Sequence, residues 1–309
     1  MIAKAGGRPV LHGWLVIDKP AAMTSAAVVG AVRRATHGVK AGHAGTLDPL
    51  ATGVLPIALG EATKTMSYAM DGRKKYRFCV RWGEQRDTDD REGAVIATSE
   101  VRPGADAIAA VLPLFQGDIE QVPPTYSAIK VAGRRAYALA RANEPITLAA
   151  RTVTVEAIEL ISTPDPDHAV FAVVAGKGVY MRALARDLAH LLGTVGHIAW
   201  LRRLAVGPFT EQQATSLEAL EAAADAGKLA DLVLPVQAAL ADIPALPLTE
   251  VEARQLRQGR PVAALPVARR ASFKGIDRDA MLCAMAEGKL VALVQIKGGE
   301  IRPVRVLNI

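Results

Sequence analysis

The sequence predicts an α+β protein in two parts, a large domain over residues 1–245 and a small β-rich domain over 246–309. Three observations carry this. From residue 13 onward, short apolar or alternating strand patterns interleave with amphipathic helix patterns. The stretch LPVQAALADIPALPL, residues 234–248, is dominated by Pro, Ala and Leu and reads as a transition between domains. Beyond it, turns at Glu287-Gly288 and Lys297-Gly298-Gly299 separate short apolar runs, which is the pattern of a strand meander.

Taken in order, GWLVIDKP gives a buried strand through Leu15, Val16 and Ile17, stopped by Pro20. Thr24 or Ser25 then caps a helix running to about Thr36. VLPIALG is a second apolar strand. KKYRFCVRW alternates, with Tyr76, Phe78, Val80 and Trp82 on one face and Lys75, Arg77, Cys79 and Arg81 on the other. RDTDDREG is a polar loop, followed by a helical segment around Ile108, Val111 and Leu112 that reaches about Phe115. A rigid Pro-Pro, a turn at Gly133 and a short helix with Tyr137, Leu139 and Arg141 form an arm or insert over about 123–150. Strands at 152–161 and 169–175 lead into AGKGVYMRALARDLAHLLG, a glycine turn and a helix with Leu184, Leu188 and Leu191 inward. Thr249 and Glu252 form a capping box for a helix ending near Gly259.

Composition narrows the class. Apolar residues make up 50% and charged residues 22%, as in a globular protein. The net charge of +6 favours polyanionic partners such as RNA or DNA. Two distant cysteines, Cys79 and Cys283, suggest neither a disulfide framework nor a thiolate cluster. The segment MIAKAGGRPVLHGW lacks an apolar signal core and no run reaches the ~18 apolar residues of a membrane span, so a cytoplasmic protein is expected.

The sharpest local feature is HAGTLDPLATGVLPIALG, residues 43–60, where Asp48 stands in a glycine-flanked turn between strong apolar strands. Asp before Pro is also a common helix start, and on spacing alone a cap and a reactive carboxylate are equally good readings. The flanking strands and His43 five residues upstream weigh towards a carboxylate held at the mouth of the core.

GWLVIDKP, HAGTLDPLATGVLP, KKYRF, PPTYSAIKVAGRRAY, GKGVYMRALARDL and LRRLAVGPF, in that order over residues 13–209, resemble the bacterial tRNA pseudouridine synthase B (TruB) family. The resemblance implies a mixed, largely antiparallel sheet of the pseudouridine synthase type. It extends loosely to a PUA-like RNA-binding domain at the C-terminus. The implied activity is isomerisation of uridine to pseudouridine at position 55, in the T-loop of tRNA, with no cofactor or metal and no obligate protein partner. Breaking the C1'–N1 bond and re-forming it at C5 is redox-neutral, so one carboxylate nucleophile suffices. Uracil spreads its negative charge over two carbonyls and leaves without a strong acid, unlike a sugar alcohol. Attack at C1' and attack at C6 are equally drawable.

The resemblance assigns Asp48 as nucleophile. Arg182 is its guanidinium partner, of the kind that keeps a carboxylate ionised in a dry pocket; a solvated helix face is the alternative. Tyr76 would stack on the target base and serve in proton transfer, although its strand position alone favours core packing. Tyr180 and Leu201 would wall the pocket, and His43 would stack where the flipped base left the loop. Lys19, Lys64, Lys130 and Arg202, with Lys74, Lys75, Arg134, Arg135 and Arg203, would supply the basic surface for phosphate contacts. The acidic stretch 86–93 lacks EF-hand spacing. It resembles the family's T-D-T-x-D-x-x-G stretch with Arg86 in the first position and Asp89 in the variable one, which leaves its role open. Two other readings remain: a noncatalytic RNA-binding or tRNA-folding protein, against which Asp48 speaks, and the catalytic subunit of a guide-RNA-directed complex.

Overall fold

The computed structural model describes residues 4–5, 8–9, 11–127, 129–131, 134–135, 147–270 and 280–309. Its centre is a nine-stranded sheet whose main path runs 13–19, 52–59, 196–206, 74–82, 168–175, 151–165, 117–121. Every neighbouring pair on that path is antiparallel except 52–59 with 196–206, so the sheet is mixed and largely antiparallel as expected. The parallel pair matters for the site. It sets Arg202 opposite Thr52 and Arg203 opposite Gly53, which brings the Asp48 turn over the middle of the sheet.

Alternation decides which face is buried. Phe78 and Val80 point into the main core, where Phe78 stacks on Phe171 at 5.4 Å and Trp82 meets Phe171 edge-on at 6.4 Å. The helix Met181–Leu191 covers this face with Met181, Leu184, Ala185 and Leu188. Leu191, expected inward, is the helix's last residue and stands 51% exposed beyond the end of the apolar stripe. Thr24 rather than Ser25 caps the helix Ser25–Ala35, accepting from the Ala27 amide.

Residues beyond 244 form a five-stranded sheet ordered 245–247, 282–286, 289–297, 300–306, 262–263, with the helix Glu250–Arg257 started by the expected Thr249/Glu252 capping box. This part has its own core around Leu246, Leu256, Val291 and Ile301. It also shares one with the large sheet, since Cys283, Leu290, Leu293 and Leu307 pack in the same cluster as Trp14, Val16, Val54 and Phe209. Of the insert, the short ladder Lys130–Val131 with Arg134–Arg135 is seen; the helix expected at 137–141 lies outside the described residues.

Candidate active site

Asp48 sits on a loop whose backbone is gripped at almost every residue by a buried side chain. Arg203 donates to the carbonyls of Gly45 (3.0 Å) and Thr46 (3.3 Å). The Ser25 hydroxyl both accepts from the Leu47 amide (2.9 Å) and donates to the Leu47 carbonyl (3.1 Å). Lys19 Nζ donates to the Pro49 carbonyl at 3.0 Å. The Asp48 carbonyl closes the turn by accepting from the Ala51 amide. The Asp48 carboxylate is not used by this backbone bracing, and it caps no helix.

Both its oxygens are taken by Arg182. Nε donates to Oδ2 at 2.8 Å and Nη2 to Oδ1 at 3.0 Å, a parallel two-bond pairing that fixes the carboxylate's plane. Arg182 in turn donates to the carbonyls of Thr88 and Tyr126, each at 2.9 Å. Its side chain is 4% exposed while that of Asp48 is 29% exposed. The arginine therefore forms the back wall, and the carboxylate faces solvent. Burial works against the charge of Arg182, but the carboxylate of Asp48, with those of Asp90 and Asp89, outweighs it and raises its pKa further.

In front of the pair lies a cleft of about 310 Å³, lined among others by Tyr76, Tyr180, Leu201, Arg203, Lys74 and Met70. That size falls at the small end of the range for small-molecule sites. Tyr76 and Arg203 are register partners on adjacent strands. The Arg203 guanidinium is buried, which lowers its pKa, while the neighbouring Tyr76 and then Asp48 act in the opposite direction. Gly53 makes room for this: a Cβ there would meet the Arg203 carbonyl oxygen at 2.2 Å, and its φ is +102°. Tyr180 is fixed by a two-way bond of its backbone to the Gln121 side chain (2.8 and 3.2 Å), and the Arg151 guanidinium lies 5.0 Å from its ring centre.

The structure thus brings together Asp48, Arg182, Tyr76, Tyr180 and Leu201. His43 ends the short strand Ala41–His43 that leads into this loop and does not line the cleft; it is half-buried, its Nδ1 has no partner, and burial, then Arg203, lower its pKa. The basic surface is smaller than the sequence suggests. Lys19 is fully buried and donates to three carbonyls, those of Pro20, Met23 and Pro49, so it braces the Asp48 loop rather than meeting phosphate. Arg202 is held by Asp18 and Glu211, which offset its charge. Lys64 is bound to Glu61 and to the Val306 carbonyl of the C-terminal strand Glu300–Val306. Arg203 and Lys74 are also buried. The side chain of Lys130 lies outside the described residues. Sequence reasoning missed the bracing roles of Ser25, Gln121 and Arg203. A glycine at 53, next to a strand that must pass an arginine closely, was the only signal for the last. Among the described residues no group of three or more His, Cys, Asp or Glu is placed to hold a metal ion.

Residues 33–181 match the model of the TruB family pseudouridylate synthase N-terminal domain, and residues 182–241 match that of the tRNA pseudouridylate synthase B C-terminal domain. The chain is 56% identical over 299 residues to tRNA pseudouridine synthase B of Rhodospirillum rubrum, covering 97% of each chain. It is 48% identical over 302 residues to the protein of that name from Caulobacter vibrioides, again covering 97% of each. Among solved structures it resembles a chain of a Cbf5–Nop10–Gar1 complex, with a TM-score of 0.72 and 24% identity over 96% of this chain and 84% of that one, a likeness of fold.

Proposed function

The chain belongs to the TruB family of pseudouridylate synthases, and from that premise we propose that it acts as a stand-alone enzyme on uridine 55 in the T-loop of tRNA. It is an isomerase that converts uridine in tRNA to pseudouridine. The observation that carries the assignment to this site is the two-bond Asp48–Arg182 pair opening onto a cleft with Tyr76 at its side.

The target base must leave its stack to reach a carboxylate at the bottom of a cleft, and Tyr76 and Leu201 offer apolar faces to receive it. The Asp48 carboxylate then bonds to C1' of the ribose or to C6 of the base. The C1'–N1 bond breaks with its electron pair passing to the uracil ring, whose two carbonyls hold the charge. The base turns and re-bonds to C1' through C5, the C5 proton is lost and N1 gains one, and Asp48 is released. No electrons enter or leave. Arg182 holds the carboxylate's plane throughout, so attack costs little reorganisation. The Tyr76 hydroxyl, on the wall of the same cleft as Arg203, is the group that moves the C5 proton. Exposed cations such as Lys75 serve phosphate contact.

Among the described residues no helix is long and apolar enough to cross a membrane. A cytoplasmic location, where tRNA is modified, belongs to the same proposal. Incubating the purified protein alone with an unmodified tRNA transcript and mapping pseudouridine tests it: product at uridine 55 supports it. RNA binding without product would favour the noncatalytic reading, and product only with added guide RNA the complex-bound one.

A further inference from the structure

The helix Met181–Leu191 carries a second arginine one turn after Arg182, and the two grip the same two segments. Arg182 donates to the carbonyls of Thr88 and Tyr126. Arg186 Nη1 donates to the Asp89 carboxylate at 3.1 Å and Nη2 to the Val122 carbonyl at 2.8 Å, while Nε is held by Asp187 at 2.9 Å. Each arginine therefore bridges the 86–93 loop and the root of the 123–150 insert, spaced i to i+4 on one helix face.

The loop itself is held in a conformation that needs such a grip. Asp89 is 6% exposed and adopts φ +59°, left-handed for a residue with a Cβ. Its amide donates to the Arg86 carbonyl, and its carbonyl accepts from the Ile198 amide of the central sheet. Burial pushes its carboxyl up to about 6 even with Arg186 and Arg182 beside it, so the ionised form depends on those partners. Asp89 fills the variable position of the acidic motif, and nothing in the catalytic cycle uses it.

We propose that Arg186 and Asp89 are positioning residues: by locking the 86–93 loop and the root of the insert together, they set the Thr88 and Tyr126 carbonyls that aim Arg182 at Asp48. The inference rests on the proposed function, since the aim of Arg182 matters only if Asp48 is the nucleophile. Neither residue touches the base. Their effect should therefore fall on the chemical step, and it should pass through Arg182.

The test is a double-mutant cycle read as single-turnover rates at saturating T-arm hairpin RNA, with hairpin affinity and circular dichroism measured beside them. Arg186→Gln in the wild-type background is expected to slow the reaction about tenfold or more while affinity changes less than about threefold. In the Arg182→Lys background, the same change should cost less than about twofold, because the group it acts through is already misplaced. Asp89→Asn, which keeps shape and an acceptor, should show the same dependence on background with a smaller loss, and it carries the test if Arg186→Gln fails to fold. Equal losses in both backgrounds, an unchanged rate, or a loss confined to affinity would each overturn the proposal. If the wild-type protein itself forms no pseudouridine in the hairpin, the functional reading fails instead, and the two failures are told apart.

Discussion

Arg203 and Tyr76 face each other across neighbouring strands, and the buried guanidinium donates to two carbonyls of the loop that carries Asp48. One side chain thus ties the strand pair that carries Tyr76 to the loop that carries Asp48. Arg203 Nε also donates to the Val54 carbonyl at 2.8 Å. Arg203→Met should leave several buried carbonyls unpaired and lower unfolding free energy by about 3 kcal/mol, with turnover lost in the fraction that remains folded. Urea unfolding measures the first effect and single-turnover kinetics the second; a stable, active variant would place the loop's anchor elsewhere.

Arg182→Lys keeps the charge and loses the geometry. A point ammonium cannot make two parallel bonds to Asp48 while also reaching Thr88 and Tyr126. A rate loss of about 100-fold or more is expected, equivalent to about 2.7 kcal/mol of barrier. A near-normal single-turnover rate would place Arg182 outside the chemistry.

Lys19 supplies a prediction about stability rather than RNA affinity. Burial lowers its pKa to about 8 from 10.5, so between those pH values the folded protein binds fewer protons than the unfolded chain. The sign follows: wild-type stability gains relative to Lys19→Met as pH rises from about 8 to 10.5, with the burial penalty fully present below 8. Parallel denaturation curves at pH 7.5 and 10 check this. The salt dependence of tRNA binding should be unchanged in the variant, and a shallower slope would restore Lys19 to the phosphate surface.

The shared core makes the two parts one folding unit. Leu293 is fully buried in a cluster with Trp14, Val54 and Phe209. Leu293→Ala should cost about 2–5 kcal/mol and shift a single unfolding transition seen by probes in either part. A separate early transition confined to residues beyond 244 would mean the two parts unfold independently.

Much of this architecture was legible in the sequence because local chemistry and global packing agree there. The strand at 74–82 alternates in sequence, although Cys79, expected on the outer face, is buried between Phe78 and Val80, and the capping box at Thr249 marks its helix. The strand 196–206 was hidden for a physical reason: its inward-facing positions include Arg203, so a buried charge interrupts the apolar alternation that marks a strand. The same cause obscured the site. Lys19, Arg202 and Arg203 look like a phosphate-binding surface as letters, and only the carbonyls and carboxylates brought beside them by distant segments turn them into internal braces. Asp48 and Arg182 were found through their motifs, whereas their bonding needed two segments 134 residues apart to meet.

The central claim is that Asp48 is the nucleophile, and Asp48→Asn tests it most directly. The amide preserves shape and one acceptor for Arg182 but cannot form the covalent bond. Single-turnover assays on T-arm hairpin RNA with a mass-verified, undeamidated variant should show no pseudouridine, while hairpin affinity stays within about tenfold of wild type, or about 1.4 kcal/mol. Pseudouridine formed by that variant at a rate comparable to wild type would contradict the account.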